Sequence, residues 1–289
     1  MNTGKPISAS FIIFGGTGDL THRKLMPALY NLVYDQSLPE NFIVTAIGRR
    51  KKTTGQYRSE VFESLKKYSR NQIDEALWDK LRRMIHYYLF DFTDSDGYTK
   101  LNAYLTEIEQ KSRTDGNRVF YLAVPPEHFE IIVHGIQKNN LFNRTGAWNR
   151  LVIEKPFGKD LSTARKLNNK LLDVFREDEI YRIDHYLGKE MIQNIMILRF
   201  CNSVFEPLWN NKYIDNIQIT IAEKHGIGSR AGYFDTSGAM RDMLQGHIVH
   251  ILSLVAMEPP VSLHTDAVRT EKLKVINAIN DMTPGFLRN

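Results

Sequence analysis

The sequence has very little cysteine, and that scarcity excludes whole classes of protein. Cys201 is the one cysteine in 289 residues, so no internal disulfide can form and no metal site can be built from several thiolates. Long apolar runs are missing as well. The longest in the C-terminal region covers residues 248–257, which is far too short to span a bilayer, and the N-terminus lacks a signal-peptide layout. We therefore expect a soluble cytoplasmic protein without a membrane segment.

A strong charge bias is also absent. The net charge of +5, spread over 289 residues, is a mild preference for anionic partners and does not require nucleic acid. The composition, 42% hydrophobic and 25% charged, is that of an ordinary globular protein. The one local cluster of charge is the basic run at residues 49–52, which is more often a solvated turn than a binding patch.

A glycine-rich loop near the N-terminus carries the first functional signal. The apolar run at residues 10–14 predicts a strand, and the periodicity from 20 to 32 predicts a helix. Such a loop between strand and helix can bring backbone N–H groups close to a pyrophosphate. Thr21 stands where the usual motif has its last glycine, so the loop alone fits a cofactor cradle or a structural turn equally well. The candidate cofactor contacts are Gly15, Gly16, Thr17, Gly18, Asp19 and Leu20.

Further apolar runs alternate with helical patterns and predict a parallel, doubly wound sheet of the Rossmann type. The predicted strands are residues 42–47, 85–92, 118–123, 150–153 and 180–183, and the predicted helices between them are 57–68, 74–84 and 98–111.

Three charged residues follow predicted strands, at the edge of the sheet where ligands bind in such folds. Arg49 follows the second strand, where an arginine favours NADP and an acidic residue would favour NAD. Asp91 closes the third run and is a further candidate cofactor contact. Lys155 follows the fifth, before a proline that favours extended backbone; it is a candidate ligand contact or an ordinary surface lysine.

The densest polar chemistry lies in the segment RIDHYLGKE, residues 182–190. If residues 180–183 form a strand, Asp184 and His185 project to opposite sides of it. His185 and Lys189 are four residues apart at the start of a predicted helix, whose exposed N–H groups favour an anion. We interpret the segment as an anion site beside an acid–base site, although any one of these residues alone could be a solvated cap.

The C-terminal third of the chain predicts a different kind of domain. Residues 214–222 alternate apolar and polar, as in a half-buried strand of an antiparallel sheet, and helices are predicted at 237–257 and 265–279. No other predicted strand between 184 and 289 could pair with this one. The expected organisation is therefore a Rossmann-like domain at 1–183 and an incomplete α+β domain at 184–289. His247 and His250 have a metal-ligand spacing, but no clear third ligand accompanies them.

Taken together, these motifs resemble those of the glucose-6-phosphate dehydrogenase family from about residue 11 to about residue 271. The matching segments are residues 15–20, 154–158, 182–190, and 231–235 leading to His247. Of these, 182–190 is the most specific. Family members are homo-oligomers that continue well past the last residue here, so the resemblance implies a truncated chain that a complementing C-terminal segment could complete.

The resemblance also implies roles for individual residues. His247 would be the general base and Asp184 its orienting partner, while Arg49 would bind the 2′-phosphate of NADP. The residues implied to hold the substrate are Lys155, His185, Tyr186, Lys189, Glu223 and Asp242. The implied activity is oxidation of glucose 6-phosphate to 6-phosphogluconolactone with NADP, the first step of the oxidative pentose phosphate pathway. The alternative is a catalytically silent chain that binds NADP or a full-length partner.

Overall fold

The computed structural model describes residues 7–142, 146–222, 235 and 238–280. The chain divides into two compact units, Met1–Ile183 and Asp184–Asn289. Within the described residues, no helix combines the length and the apolar character that a membrane crossing requires.

The first unit is built on a six-stranded sheet in which every pairing is parallel. Its strands run in the order β3-β2-β1-β4-β5-β6, which is the arrangement of a Rossmann fold. The predicted doubly wound parallel sheet is confirmed. The strand bounds are β1 Ala9–Phe14, β2 Phe42–Gly48, β3 Ile85–Leu89, β4 Arg118–Leu122, β5 Asn149–Glu154 and β6 Ile180–Ile183.

Helices connect these strands. Those of the first unit are α1 Met26–Tyr34, α2 Thr54–Tyr68, α3 Glu75–Met84, α4 Gly97–Ser112, α5 Phe129–Lys138 and α6 Leu161–Leu172. A π-helical turn, Thr21–Leu25, precedes α1. The last two helices were not among the predicted ones. A capping box in which Asp160 accepts from the Thr163 N–H marks the start of α6, which is a signal that the sequence does contain.

Alternate residues of the central strands supply two apolar cores, one for each face of the sheet. Ile12 and Phe14 belong to one cluster, whereas Ile13 between them belongs to the other. All three are fully buried. The fold therefore buries both faces of its sheet, as parallel sheets require.

In its described residues, the second unit consists of helices joined by turns and irregular segments. It contains α7 Glu190–Phe200, a π-helix Met240–Ile248 that continues into α8 Val249–Ala256, and α9 Thr265–Ala278. The carbonyls at the end of α8 accept hydrogen bonds from Arg199, which reaches Leu254 O at 2.7 Å, and from Trp209, which reaches Val255 O at 2.8 Å. A buried cation at a helix C-terminus also opposes the negative end of the helix dipole.

The strand predicted at residues 214–222 is wrong, because no strand is present in the described part of the second unit. Alternation describes only which side chains are apolar, whereas a strand also needs a hydrogen-bonded neighbour. Ile219 and Ile221 still pack on the core of this unit, while Ile217 is 45% exposed. The apolar pattern is thus used for packing without a sheet.

One charged pair is buried inside the first unit. Arg118 donates from Nε and Nη2 to the two carboxylate oxygens of Glu109, at 2.9 and 2.8 Å, and from Nη1 to Leu141 O at 2.6 Å. The side chains are 3% and 6% exposed. The pair joins the start of β4 to the last turn of α4.

Replacing Arg118 by Met should lower the free energy of unfolding by about 3 to 5 kcal/mol, because Glu109 would keep a buried charge without a partner. The further change Glu109→Leu should recover much of that loss. Urea unfolding of the full chain measures both. As a control, Lys111→Met, which breaks the exposed pair with Glu107 on the same helix, should have little effect. Equal effects of the buried and exposed changes would contradict this assignment.

Candidate functional site

The glycine loop passes so close to neighbouring backbone that two of its positions exclude any side chain. Gly15 has a φ of +91°, and a Cβ there would lie 2.2 Å from the carbonyl oxygen of Ala123. At Gly16 a Cβ would lie 2.7 Å from the Cβ of Ala46. The N–H groups of both glycines donate to Ile47 O, at 3.2 and 2.7 Å. The loop is therefore fastened to the ends of β2 and β4.

Thr21 explains the departure from the usual glycine spacing. Its side chain is fully buried, and its hydroxyl donates to Gly15 O at 3.0 Å. The Gly18 N–H also donates to Gly15 O, at 2.9 Å. A threonine thus closes the turn with a side-chain hydrogen bond. Of the remaining loop residues, Asp19 is exposed and pairs with Arg23 at 3.4 Å, and Leu20 directly precedes the π-helical turn.

Two tyrosines hold the glycine loop and the basic turn that follows β2. Tyr57 donates to Gly16 O at 2.7 Å, and Tyr87 donates to Gly48 O at 3.0 Å and to Arg50 O. Their rings stack with centroids 5.0 Å apart. Burial raises the pKa of Tyr57, which keeps its phenol protonated as a donor. Neither tyrosine was predicted from the sequence, since nothing in their spacing identifies them.

The basic turn leaves Arg49 and Arg50 exposed, while Lys52 forms an ion pair with Glu60. Asp91 is exposed after β3. Hydrogen bonds from Thr93 lower the pKa of Asp91, and the charge of Arg49 contributes a smaller lowering. Lys155 follows β5 and is partly buried. A tight glycine loop and exposed guanidinium groups after β2 fit the pyrophosphate and 2′-phosphate of NADP.

In the second unit, the segment after β6 forms a turn. The strand ends at Ile183, and Asp184 then folds back on its own backbone. Its Oδ1 accepts from the Tyr186 N–H at 2.9 Å, and its carbonyl accepts from the Leu187 N–H at 3.1 Å. The strand ends one residue before Asp184, so the alternation of a strand, on which the prediction for Asp184 and His185 rested, does not extend to them.

Asp184 and His247 form a buried acid–base pair. His247 Nδ1 lies 2.9 Å from Asp184 Oδ1, and the side chains are 2% and 6% exposed. His247 is on the π-helix Met240–Ile248. A carboxylate can only accept, so this contact assigns the proton to Nδ1 and leaves Nε2 with the lone pair that a base requires.

The other predicted residues of this segment surround His247. Tyr186 stacks on the imidazole with centroids 4.0 Å apart, and His185 meets it edge-on at 5.1 Å. Lys189 places its ammonium 3.6 Å from the centre of the Tyr186 ring. His185 and Lys189 are exposed, whereas Tyr186 is 3% exposed. The structure thus brings two exposed basic side chains together beside the buried pair.

Of the other predicted substrate contacts in this part of the chain, the structure describes Asp242 and not Glu223. Asp242 lies on the same π-helix as His247 and is partly buried. Glu223 lies outside the described residues, as do residues 231–234 of the matching segment that leads to His247.

Two further side chains near Asp184 had no role in the sequence predictions. His250, considered only as a metal ligand, places Nδ1 3.7 Å from Asp184 Oδ2. Lys272 on α9 is close enough for the charge of Asp184 to act on it, although burial dominates and lowers the pKa of Lys272. Within the described residues, no group of three or more His, Cys, Asp or Glu side chains could hold a metal ion.

The strand order, the glycine loop and the basic turn define a dinucleotide-binding protein of the doubly wound class. Two family profiles match the chain: "Glucose-6-phosphate dehydrogenase, NAD binding domain" over residues 12–194, and "Glucose-6-phosphate dehydrogenase, C-terminal domain" over residues 196–289. The chain belongs to the glucose-6-phosphate dehydrogenase family.

Individual relatives agree. Glucose-6-phosphate 1-dehydrogenase of Chlamydia muridarum is 44% identical over 273 residues, which cover 93% of this chain and 54% of the relative. The Bacillus subtilis protein of the same name is also 44% identical, over 96% of this chain and 56% of its own length. The chain therefore spans about half the length of these relatives.

A solved structure of glucose-6-phosphate dehydrogenase in complex with its substrate glucose-6-phosphate has a TM-score of 0.88 and 34% identity. The match covers 98% of this chain and 58% of that one. The Mycobacterium avium enzyme gives a TM-score of 0.83 at 35% identity, over 96% of this chain and 59% of its own.

Replacing Gly15 by Ala should abolish dinucleotide binding and cost about 1 to 3 kcal/mol of stability through backbone strain, with the steric clash at Ala123 in addition. Cofactor titration and urea unfolding measure the two effects. Gly55→Ala, in the first turn of α2, is the matched control: its Cβ would make an ordinary 3.8 Å contact, so binding should be unchanged. If the two variants behaved alike, the tight approach at Gly15 would not matter for binding.

Proposed function

We propose that this chain provides the cofactor unit and the acid–base site of an enzyme that oxidises glucose 6-phosphate at C1 with NADP. The observation that carries the proposal is the buried Asp184–His247 pair beside exposed His185 and Lys189. The relatives' names, and the substrate named for one solved relative, support the same reaction. The product would be 6-phosphogluconolactone.

In this reaction His247 acts as the general base. Its Nε2 takes the proton of the C1 hydroxyl while the C1–H bond gives up a hydride, and the C1–O bond becomes the lactone carbonyl. Asp184 stabilises the imidazolium that forms, because its carboxylate lies 2.9 Å from the other ring nitrogen. General-base catalysis of this kind contributes about 10²- to 10⁴-fold in rate. NADP, when bound, supplies the hydride acceptor.

The exposed cations of the turn would hold the 6-phosphate. His185 and Lys189 carry N–H donors, and the Lys189 ammonium is placed over the Tyr186 ring by a 3.6 Å cation–π contact. Because Tyr186 also stacks on His247, the phosphate grip and the base share one aromatic support. Asp242 and Glu223 are proposed contacts to sugar hydroxyls, and Lys155 is proposed to contact substrate.

A second candidate is a chain that binds NADP but turns over substrate only when another polypeptide joins it. Large apolar side chains are exposed in the second unit, among them Met191 at 74%, Val204 at 67% and Leu263 at 62%. Exposed apolar surface of this kind favours association. The occupant that we infer is a polypeptide equivalent to the part of the relatives that this chain does not match.

Turnover measured on the purified chain, alone and co-expressed with the unmatched part of the Bacillus subtilis relative, tests both candidates. We expect weak NADP binding, aggregation and little turnover alone, with solubility and NADP reduction restored by the added segment. A monodisperse and fully active chain would eliminate the second candidate. No turnover in either preparation, with NADP and glucose 6-phosphate both bound, would overturn the first.

In the active preparation, His247→Asn should lower kcat by about 10²- to 10⁴-fold with little change in KM, because it removes the base. Lys189→Ala should mainly raise KM, because it removes a phosphate contact. The matched controls, exposed residues of the same unit, are His264→Asn and Lys212→Ala. Near-normal turnover by the His247 variant would mean that another group is the base.

Cofactor choice is predicted to depend on Arg49. Arg49→Ala should weaken NADP by about 1.5 to 3 kcal/mol, the range for a charge-assisted hydrogen bond, and leave NAD almost unaffected. Binding titrations with both nucleotides measure this. Arg83→Ala, which removes an exposed arginine of α3, should change neither affinity. Equal losses for both nucleotides with Arg49→Ala would show that Arg49 does not contact the 2′-phosphate.

A further inference from the structure

The carboxylate of Asp184 faces two imidazoles, one on each oxygen. His247 Nδ1 lies 2.9 Å from Oδ1, and His250 Nδ1 lies 3.7 Å from Oδ2. The two histidines differ in their access to water, since His247 is 2% exposed and His250 is 40% exposed. One anion therefore serves a buried imidazole and a solvent-accessible one.

The helix geometry produces this arrangement. His247 lies near the end of the π-helix Met240–Ile248, and His250 lies in the first turn of α8, which continues from it. Residues three apart on a helix share a face, so both rings reach the same partner. The carboxylate itself is anchored by the Tyr186 N–H, which donates to Oδ1. His250 therefore approaches the other carboxylate oxygen, Oδ2.

Asp184 also acts on Lys272 of α9: burial lowers the pKa of that lysine most strongly, the charge of Asp184 raises it, and Arg269 of the same helix adds to the lowering. Further basic groups of this unit are His185 and Lys189 in the turn that contains Asp184, and Arg199 on α7, which donates to the end of α8. Asp242 is the acidic residue of the π-helix. The charge of Asp184 therefore acts on Lys272 as well as on the two histidines.

We propose that His250 is a positioning residue that shares Asp184 with His247 and controls how strongly the carboxylate supports the base. When both imidazoles are protonated, two cations lie against a single anion and repel each other. The two protons must then bind in separate steps that belong to the pair. Because His250 is the more exposed ring, it exchanges protons with the solvent readily, and its protonation changes the charge next to the buried pair.

The consequence for catalysis rests on the proposed function. The positive charge of a protonated His250 would offset the negative charge of Asp184. It would therefore destabilise the imidazolium that His247 forms during turnover. The chain would lose rate in mild acid sooner than protonation of His247 alone requires. At alkaline pH both rings are neutral, so the effect of the substitution His250→Gln on kcat should be smallest there and should grow as the pH falls.

The test is an NMR titration of the histidine side chains of this chain in the soluble co-expressed preparation, which needs neither substrate nor cofactor. In the wild type, the curves of His247 and His250 should contain two coupled steps. In His250→Gln and in His247→Gln, the remaining ring should titrate in one step. The proton that binds second in the wild type should bind about one pH unit higher once the partner ring is gone, the shift expected for nearby charges in a partly exposed site. His264→Gln, an exposed control in the same unit, should change neither curve.

Asp184→Asn tests the shared anion. It should lower the titration midpoints of both rings, because each loses a nearby negative charge. The wild-type curves test the proposal even if a variant fails to fold. Independent single-step titrations of the two histidines, unchanged by removal of either ring, would overturn the proposal. In an active preparation, the proposal also predicts that His250→Gln retains more of its maximal kcat than the wild type in mild acid. Coupled titrations in a co-expressed preparation that binds NADP and glucose 6-phosphate without turnover would contradict only the proposed function.

Discussion

The second unit depends on a buried carboxylate, Asp184, that is satisfied by several partners at once. A charge that is 6% exposed would be costly without compensation. Here the Tyr186 N–H and His247 both reach Oδ1, while His250 faces Oδ2. The same contacts that stabilise the anion also set the turn after β6 and orient the imidazole. The contacts that satisfy the carboxylate are therefore the same ones that orient His247, the proposed base.

This arrangement also accounts for the aromatic packing beside it. Tyr186 is held in the turn by its N–H bond to Asp184, and its ring covers His247 at 4.0 Å. The first unit has a different requirement: the glycine loop after β1 must present its backbone without side chains. Gly15 and Gly16 leave no room for side chains, and the buried Tyr57 donates a hydrogen bond to the loop at Gly16 O. The candidate site of the second unit thus depends on a buried charge with several partners, whereas that of the first depends on glycines where no side chain fits.

Much of the first unit was predictable because its strands are short apolar runs buried on both faces. The predicted strand at 180–183 matches β6, and the third strand stops at Leu89 instead of residue 92 because the ladder with β2 ends there. The strand at 214–222 failed, since apolar alternation contains no information about a pairing partner. Helix α6 was missed although its Asp160 cap is visible in the sequence.

The candidate site was predictable as far as its residues are adjacent in the sequence or resemble a known motif. Asp184 belongs to the segment 182–190, which the sequence already indicated as an acid–base site. Its pairing with His247 came from the resemblance, because 63 positions separate the two and no local pattern connects them. The roles of Thr21 and Tyr57 are visible only when their hydrogen-bond partners are known. His250 was considered as a metal ligand, whereas its observed neighbour is the carboxylate of Asp184, which also contacts His247.

The central claim is that Asp184 fixes the proton of His247 on Nδ1 and leaves Nε2 as the base. The most direct measurement is the tautomeric state of this ring by nitrogen NMR of the labelled chain, in the soluble co-expressed preparation, at a pH where the imidazole is neutral. We expect a protonated Nδ1 whose hydrogen is strongly deshielded by the carboxylate, an unprotonated Nε2, and loss of the deshielded signal in Asp184→Ala. A neutral ring protonated on Nε2, or a spectrum that Asp184→Ala leaves unchanged, would contradict the account.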